Sequence, residues 1–292
     1  MIPLIYDEAE FDGCTAFFDQ LRKIESEGKI VPATEMTSGR ALCITGNPDR
    51  LDMYHEAGYA VVLLENMNGR ENAESGFEPS ETEALKMKMH AKPDVVLLDI
   101  EGADPEWLVH VYERKYGIPW EILRTERTIV REECYGDLDA LYELYAGEGI
   151  TDYVEPLYER EEEEKYLNTY IEYIYRFYEY GMWCVFDRKT GELIGRIGID
   201  PHEYGEELGY IVASHRQNEG IATEVCRAVV DYARDELGLT KLVIRTDKRN
   251  APSIHIAEKL GFKKIRELEE DRDTLRIGKA EGAVTTLWEL EL

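Results

Sequence analysis

Around residues 209–223 an apolar, strand-like run passes through a short polar loop straight into a long amphipathic helix. The apolar run covers about 206–213, and the loop reads Ser214-His215-Arg216-Gln217-Asn218-Glu219. The helix runs from about Gly220 to Leu237, with Ile221, Val225, Val229 and Ala233 on one stripe. Such a unit must bury its strand in a sheet and lay its helix across that sheet. The loop carries no large apolar side chain, and Gly220 and Ala222 are small. A helix N-terminus offers unpaired N–H groups and a partial positive charge, which suits a pyrophosphate. Small residues let phosphate oxygens approach the backbone. An ordinary strand–helix turn has the same outline, so the pattern alone leaves both readings open.

The rest of the chain divides in two. Its 292 residues suggest two domains at about 100–200 residues each. In the first, an amphipathic helix over 8–29 carries Phe11, Phe17, Phe18, Leu21 and Ile24. Apolar runs at 41–45, 60–64 and 95–98 alternate with candidate helices at 49–57, 80–90 and 104–116, and 66–80 reads as a loop. Continuous apolar strands between helices mean a small parallel sheet covered on both faces, a three-layer α/β domain over 1–124. The segment Gly117-Ile118-Pro119-Trp120 breaks the pattern. A second α/β domain with a mixed sheet is expected over 125–292. It begins with a strand at 125–132 and helices at 137–146 and 160–180. A hairpin follows, strands 182–187 and 192–200 around Arg188-Lys189-Thr190-Gly191. After the long helix come a strand (241–246), a helix (251–260) and two late strands (262–268, 283–290).

Composition excludes several function classes. The net charge of −27 is shared by both halves, so the long-range field repels nucleic acid and anionic membranes. It favours cationic partners, although plain solubility accounts for most of the charges. No apolar run approaches the roughly 18 residues of a membrane helix, and the N-terminus does not resemble a signal peptide. The cysteines, Cys14, Cys43, Cys134, Cys184 and Cys226, are odd in number and form no C-x-x-C pair. That argues against a zinc site or disulfide framework and for a reducing cytoplasm.

Three stretches carry a resemblance. The core Gln217-x-x-Gly220-x-Ala222 resembles motif A of the GNAT acetyltransferase superfamily. Asn250-Ala251-Pro252-Ser253, followed by Lys259-Leu260-Gly261-Phe262, resembles that superfamily's next motif. Thr125-Glu126-Arg127-Thr128-Ile129-Val130-Arg131-Glu132 looks like the opening strand of its ribosomal-protein-alanine acetyltransferase branch. The resemblance implies direct transfer of an acetyl group from acetyl-CoA to a primary amine, either a small molecule or a protein N-terminus. It implies that pantetheine pairs with the backbone of Ile211 and Val212, like an added strand. The pyrophosphate would be held by N–H groups from Gln217, Asn218, Gly220, Ile221, Ala222 and Thr223. Asn250, Ser253, Ile256 and Lys259 would complete the cofactor site. A binding module that holds acetyl-CoA without turnover is the alternative, and oligomeric state stays open.

The catalytic roles fall on less specific residues. Many superfamily members place a Tyr before the Lys-Leu-Gly-Phe segment to protonate the leaving thiolate. This chain has Ala257 there. Ser253 is the nearest substitute, though a Ser at that place also serves as a helix-start hydrogen-bonding residue. Glu207 is the candidate general base, through water, against the plainer reading of a solvated strand carboxylate. His215, Arg216, Arg245, Lys248 and Arg249 are expected to form a basic rim for the cofactor's phosphates. Tyr166, Tyr170, Tyr173, Tyr175, Tyr178 and Tyr180 crowd one helix, as core packing or as a wall for a cationic amine. The middle of the first domain resembles a degenerate haloacid dehalogenase-like domain, with Thr45, Asp99 and Asp104 at its motif positions. The Asp-x-Asp nucleophile is missing, so no phosphatase activity is expected.

Overall fold

Strands whose residues are all buried need cover on both faces, and the first unit supplies it. A computed structural model describes residues 2–6, 15–32, 39–64, 92–98, 105–268 and 284–292. It separates into Met1–Ile118 and Pro119–Leu292.

In the first unit, strands β1 (Ile2–Ile5), β2 (Ile30–Pro32), β3 (Leu42–Thr45), β4 (Ala60–Leu64) and β5 (Val95–Leu97) form a parallel sheet in the order β2-β1-β3-β4-β5. Doubly wound sheets of the flavodoxin type use this order. Alternate residues of β3 and β4 go to opposite faces. Leu42, Ile44, Val62 and Leu64 pack with Phe17 and Leu21 of α1 (Thr15–Ser26) and Leu108 and Val111 of α3 (Pro105–Lys115). Cys43, Val61 and Leu63 pack with Leu51 and Tyr54 of α2 (Leu51–Glu56). The three layers match the expectation. The sheet has two more strands than were predicted: Pro3 interrupts the apolar run of β1, and β2 is three residues ending on Pro32. The described part of helix α1, Thr15–Ser26, lies within the predicted 8–29 span, and Phe11 lies outside the described residues. Thr45 is buried and its hydroxyl accepts from Asn47 N at 3.1 Å. The predicted helix at 80–90, the loop at 66–80, Cys14, Asp99 and Asp104 lie outside the described residues.

In the second unit the sheet order is β12-β13-β11-β10-β9-β8-β7-β6. The strands are β6 (Glu121–Arg124), β7 (Thr128–Glu132), β8 (Met182–Asp187), β9 (Leu193–His202), β10 (Gly205–Val212), β11 (Lys241–Asp247), β12 (Lys263–Leu268) and β13 (Thr285–Glu291). Every neighbouring pair is antiparallel except β10 with β11. Strand β6, which lies before the expected start at 125, pairs with β7 in the second sheet. Its charged ends, Glu121 and Arg124, hide it from an apolar-run reading.

One face of this sheet packs on α6 (Ile221–Asp235) and α7 (Ala251–Leu260). On α6, Ile221, Val225, Val229 and Ala233 are almost fully buried, as the stripe predicted. Burying each of the larger ones contributes about 1.5–3 kcal/mol. The other face carries α4 (Leu138–Tyr145), which contributes Leu141 and Leu144 against Cys184 and Ile211. Helix α5 (Arg160–Thr169) continues as a π-helical stretch, Tyr170–Tyr175. That widened turn brings two tyrosines five apart onto one strand end. Tyr170 Oη accepts from Met182 N at 2.8 Å, and Tyr175 Oη donates to the Met182 carbonyl.

Candidate active site

Strands β10 and β11 pair at Glu207 opposite Val243 and diverge beyond that point. On its other side β10 stays paired with β9 from Gly205 to Val212. The edge of β10 from Leu208 onward therefore faces a cleft of about 780 Å³. Leu208 to Val212 line one wall, and Ile244 to Asp247 line the opposite one.

The loop after β10 closes one end. Gly220 sits at the N-cap of α6 with φ 82°, a left-handed conformation that glycine adopts without steric cost. Asn218 is left-handed as well, at φ 64°. Among the described residues no side-chain hydrogen bond caps this helix start. Gly220, Ile221, Ala222 and Thr223 line the cleft, so the first-turn N–H groups of α6 are presented to it. Gln217 has a second role that the motif does not reveal. Its Nε2 donates to the Val212 carbonyl at 3.1 Å and ties the loop back to the strand end.

Every residue predicted for the cofactor lies on this one cleft: Ile211, Val212, Gln217, Asn218, Gly220, Ile221, Ala222, Thr223, Asn250, Ser253, Ile256 and Lys259. These features fit a phosphorylated, strand-like ligand. An uncapped helix end and a left-handed glycine suit its phosphates, and a free strand edge suits its amides. The basic rim is narrower than expected. Arg216 and Arg245 line the cleft, whereas His215, Lys248 and Arg249 do not. Arg216 is held by Asp187 at 3.0 Å and Glu219 at 3.1 Å. Arg249 turns to Asp247 and His215 to Glu192.

Ser253 stands at the start of α7, where Asn250 Oδ1 accepts from its N–H at 3.2 Å. Its Oγ lies 2.7 Å from the Tyr210 hydroxyl. Burial pushes the Tyr210 phenol up, and the bond to Ser253 opposes that rise. Tyr210 is a residue that sequence reasoning missed, because it lies 43 positions from Ser253 and only the fold joins them. Ala257 is fully buried in the core, so the usual tyrosine place has no room for a ring.

At the closed end of the cleft, Glu207 Oε2 accepts from Arg245 Nε at 2.7 Å. Desolvation raises the Glu207 carboxyl above its ordinary range, and Arg245 opposes the rise. Glu207 is thus a mostly buried carboxylate and not a solvated one. Asp200 is paired across β9–β10 with Glu207 and accepts from Tyr170 Oη at 2.6 Å. His202 also lines the cleft, its Nδ1 buried and unpartnered among the described residues. Burial lowers the His202 pKa, and Arg245 adds to the effect. Asp200 and His202 lie at alternate positions along β9, a relation that shows only once the strand register is known. Of the six tyrosines crowded on α5 and its continuation, none lines the cleft. Tyr170, Tyr175 and Tyr180 are core residues, and Tyr173 and Tyr178 are exposed. Core packing therefore accounts for Tyr170, Tyr175 and Tyr180, and no tyrosine of the cluster forms a wall of the cleft.

Residues 127–263 match the Acetyltransferase (GNAT) domain. The chain is 30% identical over 152 residues to the uncharacterized N-acetyltransferase YoaA of Bacillus subtilis, covering 49% of this chain and 83% of YoaA. It is 35% identical over 89 residues to YkkB of the same organism, covering 29% of this chain and 52% of YkkB, about half its length. It is 33% identical over 76 residues to spermidine N(1)-acetyltransferase of Escherichia coli K12, covering 26% of this chain and 41% of that protein. The structure of RimL, a ribosomal L7/L12 α-N-protein acetyltransferase, shares the fold. Its TM-score is 0.50 at 16% identity, covering 60% of this chain and 95% of RimL. With the splayed strands and the Gly220 loop, these likenesses show that the chain belongs to the GNAT acetyltransferases, enzymes that use acetyl-CoA as acyl donor.

Proposed function

We propose that this protein moves an acetyl group directly from acetyl-CoA to a primary amine on a small molecule or a protein N-terminus. The observation that carries the reading is the divergence of β10 and β11 beyond Glu207 and Val243, beside an uncapped helix start. When bound, acetyl-CoA supplies an activated acetyl thioester. N–H groups from Asn218 to Thr223 hold the phosphates, with Arg216 and Lys259 as nearby cations. The open edge at Ile211 and Val212 aligns the pantetheine. Glu207 takes the proton from the ammonium through water, and Arg245 keeps its carboxylate oriented. Ser253 Oγ, with Tyr210 behind it, delivers a proton toward the thiolate.

Asp200 and Glu207, paired across β9 and β10, both line the cleft at its closed end, which supports a cationic amine. So does the likeness to a spermidine acetyltransferase. The likeness to RimL is one of fold and leaves protein N-termini within the proposal. Four cysteines carry free thiols, in keeping with a reducing cytoplasm, and no described helix is long and apolar enough to cross a membrane. We read the first unit as a packing, oligomerisation or ligand-sensing module without phosphatase activity.

The test is thiol release from acetyl-CoA with a panel of primary amines and N-terminal peptides. Sustained release with one of them, lost in Glu207→Gln, supports transfer. Stoichiometric binding with no release from any amine would support the sensor alternative.

A further inference from the structure

Strand pairing sets Met182 of β8 opposite Gly198 of β9, and Gly198 opposite Gly209 of β10. The three form one row across the sheet, and alternate positions along β9 and β10 put Asp200 and Glu207 on the same face. The two glycines leave a bare floor. A Cβ at Gly198 would strike the Gly181 carbonyl, so only glycine fits there. The Met182 side chain lies across this floor toward β10. A Cβ placed on Gly209 would stand 3.1 Å from Met182 Sδ and 3.3 Å from its Cε.

Met182 is also fixed at its backbone. Tyr170 Oη accepts from its N–H, and Tyr175 Oη donates to its carbonyl. Both tyrosines are buried, so the root of the side chain cannot shift. The side chain itself is half-buried and lines the cleft.

On the reading that acetyl-CoA lies along the open edge of β10, its acyl end points away from the Gly220 loop. It then runs toward the place where β10 and β11 close, at Glu207 and Val243. Leu208 turns into the helix-side core, so the open-face neighbour of the acyl carbon is Gly209. There the end of an acyl chain meets the Met182 thioether. We propose that Met182 sets the acyl length this enzyme accepts, admitting acetyl and turning away longer chains. Replacing it with alanine removes Cγ, Sδ and Cε, enough room for the two extra carbons of a butyryl group.

Calorimetry with free CoA and with acetyl-, propionyl- and butyryl-CoA tests this without a known acceptor. Wild-type affinity should fall at least about tenfold from acetyl- to butyryl-CoA, since one methylene in a closed pocket is worth that much. Met182→Ala should bring butyryl-CoA to within about threefold of acetyl-CoA while acetyl-CoA binding is kept. Met182→Val, which retains a strand-forming residue, carries the same test if the alanine variant does not fold. Equal wild-type affinity for all three acyl lengths, or unchanged discrimination in a folded variant, overturns the proposal. A wild type that binds none of the four ligands overturns instead the cofactor reading beneath it.

Discussion

The Tyr210 hydroxyl lies 2.7 Å from Ser253 Oγ and 3.0 Å from the Ser253 carbonyl, joining β10 to the first turn of α7 across the cleft. The pair is the proton donor proposed here in place of the tyrosine that many superfamily members carry where this chain has buried Ala257. A free thiol has a pKa of about 8.5, so its thiolate leaves readily and needs limited help. Ser253→Ala and Tyr210→Phe should each lower turnover by less than about 10²-fold, the low edge of general acid–base contributions. Steady-state rates with a reactive amine give the comparison. A larger loss for Ser253→Ala than for Glu207→Gln would reverse the assignment.

Glu207 should matter more. An ammonium is not nucleophilic until it loses a proton, and Glu207→Gln should lower turnover by roughly 10²-fold. Burial raises the Glu207 carboxyl despite Arg245, and a base works only when deprotonated. The kcat/KM of the wild type should therefore fall as pH drops through a value above the ordinary glutamate range. The Glu207→Gln defect should shrink as pH rises toward the amine's own pKa, where free amine becomes abundant. A defect constant across pH would place the base elsewhere, with His202 the first alternative.

Much of this site was legible because its chemistry is local. Gln217, Gly220 and Ala222 fall within one loop–helix unit, and a helix start is visible in sequence. Asn250 and Ser253 open α7 in the same way. Tyr210, Met182, Asp200 and His202 were not legible, because their roles depend on which strands pair and in what register. The π-helical stretch at Tyr170–Tyr175 was equally hidden, since its tyrosines read as an ordinary crowded helix. In the first unit, β2 holds three residues and ends on Pro32, too little for a period-two pattern. Glu207 was readable as a strand carboxylate, but its burial against Arg245 was not.

The loop before α6 has an acid-sensitive anchor in Asp187, which binds Arg216. Asp187 accepts from the N–H groups of Thr190 and Lys189 and from Arg216 Nη2, which hold its carboxyl down to about 2. An unfolded aspartate titrates near about 3.9. The stability it contributes is complete above that value and is lost as pH falls through about 2. Asp187→Asn cannot ionise, so its melting temperature should fall less than that of the wild type between about pH 5 and pH 2. An equal fall in both proteins would remove Asp187 from the acid response.

Arg196 and Glu133 form a buried ion pair under the sheet, and Arg196 Nη1 also donates to Tyr145 Oη at 3.0 Å. Arg196→Met strands the Glu133 charge and should destabilise the protein by about 3–5 kcal/mol. Adding Glu133→Gln should restore much of the loss, since the stranded charge is the main cost. Denaturant unfolding of the single and double variants measures both. No recovery in the double variant would mean that packing, not charge, dominates.

The proposed function requires the Gly220 loop to hold the phosphates of acetyl-CoA. Gly220 is left-handed, and a Cβ there would approach Arg127 Nη2 to 3.8 Å, an ordinary contact. Any side chain at this position costs about 1–2 kcal/mol in backbone strain, and it also points new atoms at the phosphate place. Calorimetry of acetyl-CoA binding to Gly220→Asp, with folding checked by circular dichroism, is the direct test. Gly220→Asp should give a folded protein that no longer binds acetyl-CoA. A folded variant with wild-type affinity would contradict it.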